Sequence, residues 1–452
     1  IGFIMKEEEV KDTKIDHGEH VHGEHCNHSH DVNHINPQLN DKELASKIGD
    51  LIYQTKKKKE EKAKDIHKFW DTQPVPNLKT EKIEKIGPID DKNVLEEVKN
   101  TPYNLPGNFY WHDVDITDKK ELNTLYEFLR DNYVEDDDHM FRFDYSPDFL
   151  NWHLSAPGYL KLWHCSVFKK GDDGVARMVG FISAIPVHIY AEGKEIKKVE
   201  INFLCVNSAY RTKRLAPVLI KEITRRVNCQ NIWQAVYTAG SLLPKPICIS
   251  NYYHRNLNLQ KLLDVKFTYL SPKLNLARAK RVYNMSKETT LTGLRPMEKK
   301  DVQGVFEILE NYLSKFKVRP HYSKEEVQHW FVPRKNIVYS YVVENTEGKI
   351  TDFLSFYLLP SSILQHEQHK TLYAAYSFFN VPGEYSIKDL IRNALILAKQ
   401  LNFDVYNALN VMENETVFND LLFGKGDGSL KYYFYNYAFP QVEPNELAIV
   451  LM

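Results

Sequence analysis

The 452-residue chain has 43% hydrophobic and 12% aromatic residues, enough for a folded core, and its length predicts two domains of about 150–200 residues each. A formal net charge of −1 provides no overall attraction to nucleic acid or to anionic membranes. Five cysteines without a CxxC spacing argue for a reducing compartment, and no apolar run reaches the roughly 18 residues that span a bilayer, so we predict a cytoplasmic protein without a membrane span.

The first 65 residues differ in composition from the rest of the chain. Seven of the 18 histidines lie between His17 and His34, together with Cys26. Such a tract can bind zinc or nickel, but it lacks apolar residues to fix the geometry of a metal site. The run K-K-K-K-E-E-K-A-K, from Lys56 to Lys64, is typical of a solvated segment or of a contact with a polyanion such as ribosomal RNA. We predict a disordered extension over residues 1–65.

The first half of the ordered chain opens with an extended arm, D-I-H-K-F-W-D-T-Q-P-V-P, anchored by aromatic residues. The elements predicted after it are a strand over 109–114, a helix over 118–132, strands over 162–168, 176–190 and 199–206, and a helix over 217–227. Thr117 is the predicted cap of the first helix, and Pro217 suits the first turn of the second. The three middle strands form a predicted antiparallel meander.

The second half continues in the same style without a sequence repeat. Its predicted elements are helices over 299–316 and 387–401 and strands within 337–359, 372–381, 432–439 and 447–452. Strands and helices are mixed in both halves, which predicts an α+β fold with extensive antiparallel pairing. The last apolar run has two interpretations: it completes a sheet, or it carries the α-carboxylate of Met452 into surroundings where desolvation raises the pKa of a carboxylate.

One segment joins a buried strand to a basic loop that opens a helix. It reads E-I-N-F-L-C-V from Glu200 to Val206, and Arg211, Lys213 and Arg214 follow. The N-terminus of a helix attracts phosphate, so the added cations predict a pyrophosphate site. The alternative is an ordinary basic loop.

Two other patterns each allow more than one interpretation. The acidic run at 135–138 is typical of a solvated loop, and G-K-G-D-G-S at 424–429 lacks the strand and helix that flank a phosphate-binding loop.

Several segments, in order, resemble the N-myristoyltransferase (glycylpeptide N-tetradecanoyltransferase) family from about residue 66 to Met452. They are K-F-W-D-T-Q-P-V-P, E-D-D-D-H-M-F-R-F-D-Y, E-I-N-F-L-C-V with R-x-K-R-L-A-P, Y-T-A-G, K-Y-Y-F-Y-N and the apolar C-terminus. The resemblance implies two acetyltransferase-like (GNAT-like) halves with a largely antiparallel, saddle-shaped sheet and surrounding helices. Residues 66–285 would form the acyl-CoA-binding half, and residues 286–452 the peptide-binding half with the catalytic C-terminus.

The resemblance also implies a reaction. Myristoyl-CoA is the co-substrate, and its acyl group passes to the α-amine of an N-terminal glycine by direct nucleophilic addition and elimination, without a metal or a permanently bound cofactor. The family's pattern makes the backbone N–H groups of Phe203 and Leu204 the oxyanion hole and the α-carboxylate of Met452 the base, with Asn202 and Thr238 holding the amine. The pKa of an α-amine is about 8 and that of a free α-carboxyl is about 3.5. Burial of the two groups narrows the difference between these pKa values.

The family's binding residues carry over to matching positions of this chain. For acyl-CoA they are Lys68, Phe69, Trp70, Phe203, Leu204, Cys205, Val206, Arg211, Thr212, Lys213, Arg214, Leu215 and Ala216. For the peptide they are Val134, Glu135, Asp136, Asp137, Phe141, Phe143, Tyr145, Gly240, Tyr252, His254, Ser361, Tyr376, Asp427, Gly428 and Leu451. This chain has N-S-A-Y before Arg211, where the family more usually has a histidine and lysines, which predicts weaker contacts with the CoA phosphates.

The implied partners are peptides and nascent proteins with an N-terminal glycine, often with a downstream lysine that the acidic run attracts. The lysine-rich segment implies ribosome association, and we expect a monomer. Two other functions stay open at this point. A short-chain N-acetyltransferase would differ in the depth of its acyl pocket. A non-catalytic acyl-CoA-binding or peptide-binding protein would keep the groove without turnover, against which the terminal carboxylate and the F-L-C-V strand argue.

Overall fold

The computed structural model describes residues 69–77, 82–83, 85–136, 139–270 and 275–452. The predicted extension over 1–65, Lys68, Asp137 and the side chain of Thr212 lie outside this part of the chain. Two compact units share the chain, and the described residues 69–72 belong to a different unit from residues 73–452. In the small piece, Trp70–Thr72 form a 3-10 turn, and the rings of Phe69 and Trp70 meet edge to face with centroids 5.3 Å apart.

The elements of the large unit up to residue 285 follow most of the predicted pattern. They are β1 Phe109–Asp113, α1 Lys119–Asn132, β2 Phe141–Phe143, α2 Pro147–Leu154, β3 His164–Lys170, β4 Ala176–Ala191, β5 Lys194–Val206, α3 Leu215–Asn228, β6 Ala235–Ala239, β7 Cys248–Asn256, α4 Leu259–Asp264 and α5 Leu276–Val282. The sequence analysis missed β2, β6, β7, α2, α4 and α5, most of which are short.

The remaining elements run to the C-terminus. They are β8 Leu294–Pro296, α6 Val302–Leu313, β9 Val318–Pro320, α7 Lys324–Phe331, β10 Val338–Glu344, β11 Ile350–Leu358, β12 Ser361–Ile363, β13 Thr371–Leu372, β14 Ala374–Val381, α8 Ile387–Gln400, β15 Val405–Leu409, α9 Glu415–Phe418 and β16 Gly424–Tyr435. The helix predicted over 299–316 is a 3-10 turn, Lys299–Asp301, followed by the shorter α6. None of the helices in these described ranges has the length and apolarity needed to cross a membrane.

A single 13-stranded sheet organises the unit, in the order β1-β3-β4-β5-β6-β16-β7-β15-β14-β11-β10-β8, with β9 added beside β4. A separate three-stranded sheet pairs β13, β12 and β2. The described pairs are antiparallel except for β5 with β6 and β14 with β15. A helix connects the strands of each parallel pair, α3 in the first half and α8 in the second, so both halves share one plan. The predicted α+β class with a largely antiparallel sheet is confirmed.

The centre of the large sheet interleaves the two halves of the chain. β16, the last strand, lies between β6 and β7, while β7 pairs on its other side with β15. Four consecutive strands of the sheet therefore alternate between early and late sequence. The division at 285/286 stays a prediction, but the interleaving explains how residues far apart in the sequence meet near the middle of the sheet.

The first helix was predicted correctly in its buried face and wrongly in its cap. Leu122, Leu125, Phe128 and Leu129 are buried, as the 3.6-residue period predicts. The cap is Asp118, because its side chain accepts hydrogen bonds from the N–H groups of Lys120 and Glu121. Thr117 instead donates from its hydroxyl to Oδ1 of Asp115, two residues earlier, at 2.5 Å.

The C-terminal segment is buried but is not the strand that its apolar composition predicted. Its contact with the sheet is one parallel bridge between Val318 and Leu447, extended by a hydrogen bond of 2.8 Å from the Ala448 N–H to the Val318 carbonyl. Leu447, Ala448 and Ile449 are fully buried, and Met452 is half-buried. The apolar residues therefore reflect packing against the core rather than pairing in a ladder. The strand predicted over 432–439 is also wrong in its bounds, since β16 ends before Asn436, whose φ is 51°.

Candidate active site

A β-bulge interrupts the pairing of β4 with β5 at the predicted oxyanion hole. Phe181 pairs with Cys205 and Ser183 pairs with Asn202, so that Phe203 and Leu204 together face one residue of β4. Phe203 has a φ of +53°, a left-handed conformation that is costly for a large L-residue and that occurs mostly where function requires it. Bulges are frequent beside active sites because they redirect backbone groups out of the ladder. The strand is therefore distorted at the two residues that the sequence analysis selected.

The N–H of Phe203 is directed at a side chain and not at the neighbouring strand. It donates to Oδ1 of Asn202 at 2.7 Å, and the Tyr133 hydroxyl donates to the same oxygen at 3.4 Å. The Phe203 ring is held by Tyr145 and His153, whose ring centroids lie 5.1 and 5.2 Å away. The amide oxygen of Asn202 therefore satisfies the Phe203 N–H, which has left the ladder.

The carboxyl group of Met452 lies beside the bulge. Nδ2 of Asn202 donates to the terminal oxygen of Met452 and also to Oε1 of Glu200 at 3.2 Å. Asn202 is 6% exposed, so both interactions are shielded from solvent. Asn202 and Met452 are 250 positions apart in the sequence, and the fold brings them into contact.

Thr238 lies on β6, next to the site and on the neighbouring strand. β5 and β6 pair in parallel at Val199 with Ala235 and at Glu200 with Val236, where the ladder between these two strands ends. Asn202 and Thr238 each follow two residues after the last pair, so they occupy the same level where the two strands separate. Both side chains are buried. A splayed pair of parallel strands beside a bulge leaves backbone groups that can face a ligand instead of each other.

The basic loop after β5 is held in place by its own arginine. Residues Ser208–Lys213 form a 3-10 turn, and Arg214, with a φ of +56°, precedes α3. Arg211 donates to the backbone carbonyl of Val206 at 3.2 Å and to that of Asn132 at 2.9 Å. These bonds tie the loop to the end of β5 and to the end of α1, which positions the N-terminus of α3 near the bulge.

Two lysines lie around the ring of Tyr210, the last residue of the N-S-A-Y segment that precedes Arg211. Nζ of Lys213 lies 5.2 Å from the ring centroid and Nζ of Lys169 lies 5.5 Å from it, and the latter also donates to the Tyr210 hydroxyl at 3.3 Å. Phe109 meets the same ring edge to face at 5.5 Å. Lys169 comes from the end of β3. It therefore supplies, from a distant part of the sequence, positive charge that residues 207–210 lack.

Aromatic residues predicted to hold the peptide continue from the bulge. The Tyr145 ring lies between Phe203 and Phe143, with centroids 5.1 and 6.0 Å away. Phe143 pairs with Ser361 in the three-stranded sheet. Tyr252 and Tyr376 meet edge to face at 6.4 Å, and burial raises the pKa of Tyr376 to about 12, so its phenol stays neutral. Tyr145, Phe143 and Ser361 are thus linked in one group, and Tyr252 and Tyr376 form a second aromatic pair.

His254 lies beneath the glycine-rich segment of β16. Its Nδ1 contacts Oδ1 of Asn407 at 2.7 Å, and burial lowers the pKa of His254, an effect that Asn407 and the charge of Asp427 oppose. A Cβ on Gly426 would stand 2.2 Å from Nε2 of His254, so only glycine fits there. The pairing of β16 with β7 shifts register between Lys425 and Ser429, which places residues 426–428 in a bulged loop against the histidine.

The described acids of the predicted lysine-attracting run are already paired. Burial raises the pKa of Glu135, but bonds from Arg142 and His139 overcome it and hold that pKa below its ordinary value. Oδ1 of Asp136 accepts hydrogen bonds from the N–H groups of Met140 and Phe141, both at 2.7 Å. These two carboxylates therefore shape the turn into β2. Asp137 lies outside the described residues.

The other predicted residues have smaller structural roles. Cys205 is buried in the bulged strand, and burial raises the pKa of its thiol to about 12. The carbonyl of Val134 accepts a bond from the Phe143 N–H at 3.3 Å, and the carbonyl of Gly240 accepts one from Lys431 at 2.5 Å. Leu451 is half-buried beside Met452.

The sequence analysis missed several residues that contact the site. They are Tyr133, His153, Lys169, Glu200 and Asn407. Glu200 carried a usable signal, because it lies two positions before Asn202 and the side chains of a strand alternate with period two. The others come from distant strands and helices, and no local pattern relates them to the bulge.

Two family models match the chain. The N-terminal domain of myristoyl-CoA:protein N-myristoyltransferase matches residues 88–250, and the C-terminal domain matches residues 264–449. Glycylpeptide N-tetradecanoyltransferase 2 of Bos taurus is 50% identical over 393 residues, which cover 87% of this chain and 78% of the relative. Glycylpeptide N-tetradecanoyltransferase of Plasmodium falciparum is 45% identical over 406 residues, covering 90% and 98% of the two chains.

The fold is also similar to solved structures. Saccharomyces cerevisiae N-myristoyltransferase with bound myristoyl-CoA matches with a TM-score of 0.81 and 39% identity. The match covers 85% of this chain and 99% of that one.

Proposed function

The chain belongs to the myristoyl-CoA:protein N-myristoyltransferase family and is an acyltransferase, and from that membership we propose the chemistry of its site. The myristoyl group of myristoyl-CoA passes directly to the α-amine of an N-terminal glycine. The α-carboxylate of Met452 accepts the proton of the ammonium, and the backbone N–H groups of Phe203 and Leu204 stabilise the oxyanion. The observation that carries this proposal is the contact of Asn202 with both the bulge and the terminal carboxyl group.

A base is needed because an ammonium has no lone pair with which to attack. Proton transfer from an α-ammonium to an ordinary α-carboxylate is uphill by about 4.5 pKa units, or roughly 6 kcal/mol. Removing both groups from water narrows that difference, because desolvation disfavours each charged form. The half-buried position of Met452, next to the buried Asn202, supports this assignment.

The oxyanion hole follows from the bulge. Donors of this type, aimed at developing charge, typically contribute about 3–4 kcal/mol each. The Phe203 N–H is satisfied by Oδ1 of Asn202 in the free protein, and the thioester oxygen takes over that N–H when substrate binds. Oδ1 of Asn202 is then released to accept a hydrogen bond from the glycine amine, with Thr238 on the neighbouring strand as its partner. One side chain thus couples binding of the thioester to orientation of the amine.

Direct transfer agrees with the state of the nearest thiol. Burial raises the pKa of Cys205 to about 12, so this thiol is protonated at neutral pH and is a poor nucleophile. Myristoyl-CoA is assigned to the predicted positions on the F-L-C-V strand and the loop 211–216, with Lys169 and Tyr210 beside them. The peptide follows the aromatic surface from Tyr145 to Tyr376 and runs under the loop 426–428.

The test is to replace the terminal carboxylate by an amide of the same size. A semisynthetic protein with an α-carboxamide at Met452 is compared with a semisynthetic control that keeps the acid. Under single-turnover conditions with a Gly-peptide we expect acyl transfer to slow by at least about 100-fold, the low end for a positioned base. Binding of myristoyl-CoA should not change. Equal single-turnover rates for the two proteins would falsify the proposed base.

Two further comparisons test the substrate. Transfer to a Gly-peptide should exceed transfer to the same peptide with an N-terminal alanine. Comparable turnover with acetyl-CoA and myristoyl-CoA would favour the short-chain acetyltransferase, and peptide binding without release of CoA would favour the non-catalytic protein. A preference for peptides with a downstream lysine, ribosome association and a monomeric state stay predictions.

A further inference from the structure

A buried histidine–glutamate pair lies next to Asn202, the residue that also contacts the proposed base Met452. Nε2 of His153, on α2, is 3.4 Å from Oε1 of Glu200, on β5, and the two residues are 1% and 6% exposed. Nδ1 of His153 is buried without a hydrogen-bond partner among the described residues. Ionisable groups are costly to bury and are usually fully bonded when they are buried. A pair of this kind beside a reaction centre therefore needs an explanation beyond packing.

The pair is linked to the terminal carboxyl group by contact and by a shared space. Asn202 donates to Oε1 of Glu200 and to Met452 from one amide nitrogen. A cleft with about 50 Å³ of space for the centres of water molecules is lined by His153, Glu200, Leu451 and Met452 on its inner side and by His188, His321 and Glu326 further out. One water needs about 10–15 Å³ of such space, so a short chain of a few waters fits.

The reaction requires that a proton leaves the site. The nitrogen lone pair forms the C–N bond, and the C–S bond breaks with its electron pair on sulfur. The glycine ammonium begins with three N–H hydrogens, and the product amide keeps one. A second proton neutralises the CoA thiolate, and the third must reach solvent. Met452 can accept that third proton once, but it must lose it again before the next turnover.

We propose that the His153–Glu200 pair relays this proton from the Met452 carboxyl group to solvent through the cleft. The inference rests on the proposed function of Met452. The amide of Asn202 orients both carboxyl groups but is not a useful proton carrier, so the transfer runs through water in the cleft to the carboxylate of Glu200 and the imidazole of His153. From there the proton leaves past His188 and His321, which are partly exposed.

The first variant is Glu200→Gln, which keeps an acceptor oxygen for Asn202 but cannot take up a proton. We expect steady-state turnover to fall by about 10-fold or more, less than loss of the base itself, while a single turnover stays near the wild-type rate because Met452 then has to accept only one proton. KM for the peptide and for myristoyl-CoA should be unchanged. Asp301→Asn is the matched control, because Asp301 is a buried carboxylate paired with Arg295 outside the cleft. A wild-type steady-state kcat in Glu200→Gln overturns the proposal.

A second variant separates a relay from a structural role. Glu200→Ala opens space beside His153, and added formate should restore part of the lost rate in this variant and none in Glu200→Gln. A slow Glu200→Ala protein that formate does not rescue also contradicts the relay. The α-carboxamide of Met452 distinguishes the two hypotheses. If the α-carboxamide slows single-turnover transfer while Glu200→Gln leaves steady-state turnover unchanged, only the relay is wrong. If the α-carboxamide leaves single-turnover transfer unchanged, the Met452 base is wrong.

Discussion

At the scale of single residues, the site depends on conformations that ordinary residues avoid and on one side chain with several partners. Phe203 adopts a left-handed conformation inside a strand, and Asn202 bonds the Phe203 N–H, the Met452 carboxyl group and Glu200. Replacing Asn202 would therefore change the bulge, the base and the buried pair together. Such a residue cannot be assigned a single energetic contribution, because its partners act as a unit.

Gly426 provides a prediction at this scale. Gly426→Ala puts a methyl group 2.2 Å from Nε2 of His254, so the loop must move away from the proposed peptide groove. We expect KM for the peptide to rise by about 10-fold, equivalent to about 1.4 kcal/mol, while binding of myristoyl-CoA is unchanged. Gly424→Ala is the control, because a Cβ at Gly424 meets no atom within 4 Å. Equal peptide KM values for the two variants would contradict a role for this loop in peptide binding.

At the scale of elements, two segments of irregular backbone meet at the end of a regular sheet. The bulge in β5 redirects backbone N–H groups, and the segment 447–452 supplies a carboxyl group without joining the ladder. If residues 447–452 formed a strand, their backbone N–H and C=O groups would be fixed by hydrogen bonds to a neighbouring strand. An extended, buried but unpaired segment leaves the last residue free to be placed by side-chain contacts.

At the scale of elements, the prediction concerns Lys169, which lies at the end of β3 beside the basic loop. Lys169→Met removes a cation beside Tyr210, so we expect KM for myristoyl-CoA to rise by about 3- to 10-fold, roughly 1 kcal/mol, with little change in the single-turnover rate. The effect should shrink at high salt, because added ions screen charges near the surface. Lys170→Met is the matched control, since adjacent side chains of a strand point to opposite faces. Identical KM values for both variants would show that Lys169 does not contact CoA.

At the scale of the whole molecule, one sheet draws on both ends of the ordered chain. The order β6-β16-β7-β15 places late strands between early ones, so neither half completes its centre alone. Stability and activity should therefore be lost together on unfolding. The buried histidines add a dependence on pH that belongs to this common core.

The prediction at this scale concerns acid stability. Burial lowers the pKa of His164 and of His329 to about 4, below the ordinary value of 6.5 in the unfolded chain. The unfolded state therefore binds more protons between these values, so stability is complete above about pH 6.5 and falls as the pH drops toward about 4. Each histidine contributes on the order of 3 kcal/mol across this window.

Urea unfolding at pH 7.5 and pH 5 measures this loss. His164→Gln should reduce the difference in free energy of unfolding between the two pH values. His366→Gln, at a partly exposed position that forms no ion pair among the described residues, is the control and should leave the difference unchanged. A His164→Gln protein with the same pH dependence as the unmodified chain would contradict the assignment.

The sequence by itself determined the family, the reaction that the family implies and most of the long elements. These depend on local information: period and length predict β4, β5, α3 and α8, and ordered motifs identify Asn202, Phe203 and Met452 as candidates. Predictions from the sequence were wrong where one local pattern is compatible with two different structures. Thr117 and Asp118 are both good caps, and the apolar run 447–452 is compatible with a strand or with irregular burial, a choice that only its neighbours make.

The tertiary structure alone decided what these residues touch. It placed Asn202 against a carboxyl group 250 residues away, Lys169 against Tyr210, and His153 against Glu200 behind the proposed base. Such contacts arise from the interleaved sheet and from helices packed on it, and no periodicity within one segment encodes them. The physical reason is that periodicity reports which face of an element is buried, whereas the partner on that face is chosen by how distant elements pack.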